Sequence, residues 1–145
     1  MTVILSPGLL ARLHEHLQGT YPNEGGGFLL GTAAGEVLSI VDTQPIRNSF
    51  ATEEQFHRYA MTPADWVRLE DEADARGLTL LGYYHSHPDD VAVPSEYDRV
   101  HALPNFVYII LSVRQGQPQE ARAWRLTDDR TRFDELDMRI PADGA

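Results

Sequence analysis

His85-Ser86-His87-Pro88-Asp89-Asp90-Val91-Ala92-Val93-Pro94-Ser95-Glu96-Tyr97-Asp98 is the stretch from which the rest of the chain is read. Two histidines stand one residue apart, an aspartate follows the second by eleven positions, and a serine precedes that aspartate by three. The apolar run from Leu78 to Tyr84 predicts a strand, and on a strand residues i and i+2 project from one face, so the imidazoles of His85 and His87 point into a common space. Pro88 has no amide proton and ends the ladder, Asp89 to Pro94 form a polar returning loop, and Ser95-Glu96-Tyr97-Asp98 predicts a helix start. Asp98 then falls in a first helical turn close to the strand end. Two neutral imidazoles and one carboxylate, with a fourth position left to water, match the catalytic rather than the structural zinc pattern.

With Glu24 far upstream, the spacing His85-x-His87-Pro88, six residues, Ser95, two residues, Asp98 resembles the JAMM/MPN+ zinc metallopeptidases of small prokaryotic type. The resemblance extends from about Tyr21 to Val113. Asn23-Glu24-Gly25-Gly26-Gly27-Phe28-Leu29-Leu30-Gly31 is similar to the family's glutamate segment, and Val107 to Val113 to its later core strand. It implies one catalytic zinc ion held by His85, His87 and Asp98, with Glu24 as the general base on the zinc-bound water and Ser95 as a donor to the tetrahedral oxyanion. One departure is visible: many small prokaryotic members carry a cysteine two residues after the glutamate, where this chain has Gly26. The ligand set is untouched, but an auxiliary thiol is out of reach.

Two plainer explanations compete. Ser95 to Asp98 satisfies the serine-x-x-acid capping pattern, in which serine and acid satisfy each other's amides. His85 and His87 could be ordinary buried strand histidines. A capping box says nothing about His-Ser-His-Pro, and buried histidines need no serine or aspartate at set distances. Capping and catalysis also need not compete.

The 145 residues suit a single domain over 1–145, which can bury roughly two-thirds of its unfolded surface. The formal charge of -10 repels phosphate backbones and anionic lipid, so nucleic acid is excluded as an expected partner. Cysteine is absent, which leaves only nitrogen and oxygen ligands for zinc. The N-terminal residues lack the features of a signal peptide, and no run approaches the ~18 apolar residues of a membrane span. The expectation is a soluble, cytoplasmic protein that does not enter a membrane.

Elsewhere, Val3 to Leu5 predicts a short strand. Ser6-Pro7 opens a helix with Leu9, Leu10, Leu13 and Leu17 on one face and Gly19 as its stop. His14 and His16 repeat the one-residue spacing, but on a helix they lie about 200° apart and read as surface residues. Gly25-Gly26-Gly27 is no phosphate loop and reads as a place of close backbone approach or, nearly as well, as a flexible turn. Ala33-Ala34-Gly35 predicts a hairpin turn, Pro45 to Glu54 is irregular, and Gln55 to Met61 reads as a strand. Thr62-Pro63 opens a second helix with Trp66, Leu69 and Ala73 inward, Asp65, Glu70, Asp71, Glu72 and Asp74 outward, and Gly77 as the stop. Phe106 to Val113 and Glu120 to Leu126 are partner strands, and Phe133, Leu136, Met138 and Ile140 suggest an edge strand. Asn48 and His101 are secondary candidates for the cleft.

Irregular alternation and hairpin pairing predict an α+β fold with a mixed sheet. The resemblance sharpens this to a curved central sheet flanked by helices, of JAMM/MPN (cytidine-deaminase-like) type, with the zinc cleft at one edge. It implies a metallopeptidase or isopeptidase acting at the C-terminal glycine tail of a ubiquitin-like or sulfur-carrier protein. The rival readings are an inactive MPN-type scaffold and, less favoured by the acidic surface, a DNA-repair-associated relative.

Overall fold

The computed structural model describes residues 1–46 and 63–141. Among them, β1 (Thr2–Ile4) is followed by α1 (Pro7–Thr20), β2 (Gly26–Ala34) and β3 (Val37–Ile46), then α2 (Pro63–Ala75), β4 (Thr79–Pro88), α3 (Glu96–His101), β5 (Val107–Arg114), β6 (Gln117–Leu126) and β7 (Phe133–Arg139). The strands pair in the order β1-β3-β2-β4-β5-β6-β7, and β7 pairs in turn with β1, so the sheet closes into a barrel. The β1/β3, β1/β7 and β4/β5 pairs are parallel and the others antiparallel.

The expected mixed sheet is present, but the curved central sheet flanked by helices is corrected to a sheet closed into a barrel. The segment expected as an edge strand, β7, lies between β6 and β1. Three-residue β1 bridges the two strands that would otherwise expose their backbone groups, and closure is one way a sheet disposes of its edges.

Alternation decides what each face meets. Leu29, Tyr84, Ile109 and Leu111 pack with Leu13 and Leu17 of α1, whereas Phe28, Leu30 and Leu80 pack with Leu69 and Ala73 of α2. Because Tyr84 faces α1, the period of two turns His85 and His87 to the other face of β4. α1 opens as predicted, with Ser6 accepting from the Leu9 amide at 3.1 Å and Pro7 in the first turn. It runs past Gly19, however, and ends when Tyr21 returns its amide to the Leu17 carbonyl. α2 stops at the predicted glycine: Gly77 has φ 70° and the Leu78 amide reaches back to Ala73. The hairpin turn falls at Gly35, φ 63°, and β3 extends through Pro45, where the sequence predicts irregular chain. The predicted strand Gln55 to Met61 lies outside the described residues, as does Asn48.

His14 and His16 correct the expectation of plain surface histidines. Both are partly buried, and His16 Nδ1 lies 2.9 Å from the Tyr84 hydroxyl, whose ring is fully buried. The helix turns the two rings apart, as its geometry requires, but one turns inward.

Candidate metal centre

β4 carries both histidines through its last turns of pleat, paired on one side with β2, Gly26 opposite His85, and on the other with β5, Ile110 opposite His85 and Ser112 opposite His87. Gripped on both sides, the strand presents His85 and His87 from one buried face. Ser95 then caps α3: its Oγ accepts from the Asp98 amide at 3.1 Å while Asp98 Oδ2 accepts from the Ser95 amide at 2.8 Å. The capping box and the convergence on the histidines are thus the same geometry. The cap fixes the carboxylate, whose Oδ2 lies 3.1 Å from His87 Nε2 and Oδ1 3.3 Å from His85 Nε2, with the two Nε2 atoms 3.2 Å apart.

These three separations fit a metal. Bonds of about 2.0–2.1 Å around a tetrahedral zinc set ligand atoms about 3.3 Å apart. The His87 tautomer also fits. Its Nδ1 lies 2.8 Å from the Val91 carbonyl, which can only accept, so Nδ1 carries the hydrogen and the Nε2 lone pair of the neutral ring faces the other two donors. His85 Nδ1 is buried with no hydrogen-bond partner.

Charge draws the carboxylate and the two imidazoles together. Burial by itself would lower the His87 pKa, but the hydrogen bond and charge of Asp98, with the Val91 carbonyl and Asp90, outweigh it and raise the imidazole above its ordinary range. Burial by itself would likewise raise Asp98, and the two imidazoles overcome it and hold the carboxyl well below the usual carboxylate range. Protons and a metal therefore compete for one set of lone pairs.

Glu24 is buried, 9 % exposed, and comes to this place through Ser86. The Gly25 amide donates to Ser86 Oγ and the Ser86 amide to the Gly25 carbonyl, both at 3.0 Å. With Gly26 opposite His85, the antiparallel register brings Glu24 alongside His87. Glu24, His87, Pro88, Asp90, Ser95 and Tyr97 line one cavity of about 270 Å³. Ser95 Oγ accepts from the helix, which uses a lone pair and leaves the O–H proton able to donate. Close approach explains one of the glycines: a Cβ on Gly27 would stand 2.4 Å from the Gln44 carbonyl oxygen and 2.8 Å from the Tyr84 hydroxyl.

All five predicted residues therefore gather at one place. Sequence reasoning passed over Ser86, although it sits inside the quoted stretch and alternation sets it opposite the histidines, toward the Glu24 segment. It also passed over the supports of the 89–94 loop: Trp124 Nε1 donates to the Ala92 carbonyl at 3.0 Å, and the Ser112 hydroxyl donates to the Asp90 carbonyl. No short motif marks those contacts, which join residues 32 and 22 positions apart. His101 ends α3, one turn beyond Asp98.

A family model of prokaryotic homologs of the JAB domain matches residues 6–127. The desampylase of Haloferax volcanii is 31% identical over 105 residues, covering 72% of this chain and 73% of that protein. A probable TtuB-protein conjugate cleaving protease of Thermus thermophilus is 31% identical over 103 residues, 71% of this chain and 65% of the relative. Among solved structures, a Salinibacter ruber protein aligns with TM-score 0.73 at 35% identity over 100% of this chain and 94% of its own. One from Desulfitobacterium hafniense aligns with TM-score 0.82 at 22% identity over 97% and 93%, a likeness of fold. No described helix is long and apolar enough to cross a membrane.

Proposed function

The chain belongs to the family of prokaryotic homologs of the JAB domain, and from that premise we propose that it is a zinc-dependent isopeptidase or peptidase acting at the C-terminal tail of a ubiquitin-like or sulfur-carrier protein. The observation that carries the reading is the convergence of two imidazole nitrogens and a carboxylate, all within 4.8 Å of one another, beside a cavity that Glu24 and Ser95 line. The names of the Haloferax and Thermus relatives, a desampylase and a protease cleaving protein conjugates, support the substrate class.

His85, His87 and Asp98 would hold the ion, which when bound supplies Lewis acidity and makes water nucleophilic near neutral pH. Glu24 takes a proton from the attacking water as the new C–O bond forms, and delivers it to the amine as the C–N bond breaks. Its burial keeps that proton from bulk solvent. Ser95 donates its hydroxyl proton to the oxygen on which negative charge develops, a contribution whose loss typically costs about 10²–10³ in turnover. The Val91 carbonyl keeps the His87 Nδ1–H occupied, so Nε2 stays directed at the ion.

The test is to incubate zinc-loaded protein with a panel of ubiquitin-like carriers bearing a C-terminal extension and to read the products by intact mass. A mass loss equal to the extension, absent after chelation and in Glu24→Gln, is the expected result. Stoichiometric zinc without cleavage of any carrier would leave a binding module instead.

A further inference from the structure

Glu24 and His87 stand alongside each other just past the last paired residues of β2 and β4, and two ties bracket them. On one side lie the two 3.0 Å bonds between Gly25 and Ser86. On the other, the Tyr21 hydroxyl donates to Asp89 Oδ2 at 2.6 Å. The register leads to this second meeting: with Gly26 opposite His85, the same antiparallel count sets Glu24 against His87 and Pro22 against Asp89. Between the ties the backbone adds no donor to the ladder, because Pro22 has no amide hydrogen and the Asn23 amide turns back to the Thr20 carbonyl at 2.8 Å.

Both partners are fixed before they meet. Asp89 Oδ1 accepts from the Gln115 amide and the Asp89 amide donates to the Val113 carbonyl, each at 2.7 Å, so the carboxylate is anchored to the end of β5. On the tyrosine side, the Tyr21 amide donates to the Leu17 carbonyl at 3.2 Å and Gln18 Nε2 to the Gly116 carbonyl at 3.1 Å. The Tyr21 ring rests on the same hairpin turn, where a Cβ on Gly116 would lie 3.8 Å from its Cδ1.

Asp89 has φ 56°, a left-handed conformation that is costly for a residue with a side chain. Glycine would adopt it freely but could accept neither bond. A carboxylate has one oxygen for Gln115 and one for Tyr21, and the phenol–carboxylate bond is charge-assisted, stronger than a neutral one.

Resting on the proposed isopeptidase reading, we infer that Tyr21 and Asp89 are positioning residues for the reaction: their hydrogen bond sets where the Glu24 carboxylate stands relative to the strand end that carries His87. Tyr21 is three residues before Glu24 and Asp89 two after His87, so the bond ties the segment bearing the base to the segment bearing the ligand. A base acts only from where it is held, and a misplacement of about 1 Å can cost about 10²-fold. Tyr21 is half-buried and Asp89 exposed, so water replaces the lost bond and global stability changes little.

The experiment uses the carrier fusion that the wild-type protein cleaves. Tyr21→Phe keeps the ring on the hairpin and removes only the hydroxyl; kcat should fall about tenfold or more, with KM, zinc affinity and urea stability unchanged. Asp89→Gly relieves the left-handed backbone yet should lose at least as much. Asp89→Asn, whose amide can still accept from Gln115 and donate to the Tyr21 oxygen, should recover most of the rate. Adding Tyr21→Phe to Asp89→Gly should cost nothing further, and adding it to Glu24→Gln should leave the residual rate where it was, because the bond acts through Glu24. Without metal or turnover, the Gly25 amide of chelated protein should exchange its hydrogen faster in Tyr21→Phe while the amides of β5 exchange as before. Wild-type kcat in Tyr21→Phe, a loss that follows zinc affinity, an equal loss in the Glu24→Gln background or unchanged Gly25 exchange would overturn the positioning role and leave the isopeptidase standing. Cleavage of no carrier by the wild-type protein would overturn both.

Discussion

The chain writes the same spacing, histidine-x-histidine, twice: on α1 as His14 and His16, and on β4 as His85 and His87. On the strand the two Nε2 atoms meet at 3.2 Å over a carboxylate. On the helix the rings diverge, and His16 turns to the buried Tyr84 hydroxyl while His14 Nε2 is buried without a partner. The pattern is identical and the backbone period differs, 2 residues against 3.6 per repeat. Spacing carries chemistry only after secondary structure has converted it into direction.

The largest expected effect tests what surrounds the strand pair. Glu24→Gln keeps shape and burial but removes the base, and turnover should fall by about 10²–10⁴ with zinc content unchanged; mass-spectrometric assays alongside elemental analysis check both. If the Glu24→Gln protein cleaved normally, the strand pair would be a metal site without this base.

Metal affinity sharpens the comparison next. His85→Ala with His87→Ala should cost more than the roughly 10–100-fold that losing a mere supporting partner costs, while His14→Ala with His16→Ala should leave zinc affinity unchanged by titration calorimetry. A helical double variant that lost the metal would break the contrast.

His87 on the strand and the two histidines of the helix should also answer pH with opposite sign. In metal-free protein His87 titrates above its unfolded value of about 6.5, so its contribution to stability is full below that pH and is lost as pH rises through the folded value. His14 and His16 are lowered by burial; the unfolded chain binds more protons there, and their contribution is lost as pH falls below about 6.5. Urea unfolding of chelated protein between pH 5 and 8 should show His87→Ala removing the falling component, and His14→Asn with His16→Asn the rising one. Zinc affinity should rise with pH over the same window, since the His87 proton must leave first.

The smallest effect belongs to the helix. His16→Ala strips the buried Tyr84 hydroxyl of its partner and should cost about 1–3 kcal/mol by denaturant unfolding. Tyr84→Phe in the same background should recover part of it.

Much of this was legible because the informative features are local. Ser6-Pro7, Gly77, the capping box of Ser95 and Asp98 and the alternation of β4 each depend on residues within a turn or a pleat of one another. The misreadings have the opposite character. Gly19 is tolerated inside α1 because Leu13 and Leu17 are packed against the sheet, which overrides a weak stop signal. The strand Phe133–Arg139 has the composition of an edge, and only its pairing with a three-residue partner from the other end of the chain closes the ring. Nor could His16 be known to face inward without knowing that Tyr84 stands opposite it.

Read by itself, the chain determined which five side chains are candidates for the site and that two of them share a face, because period and capping are properties of neighbouring residues. That these five meet was decided by tertiary structure alone. Glu24 reaches His87 through an antiparallel register pinned at Ser86, Asp98 reaches both imidazoles because the β4/β5 crossover folds α3 back over the strand end, and Trp124 fixes the loop between them. Each of these is a long-range pairing, whose free energy exists only when the whole sheet is assembled.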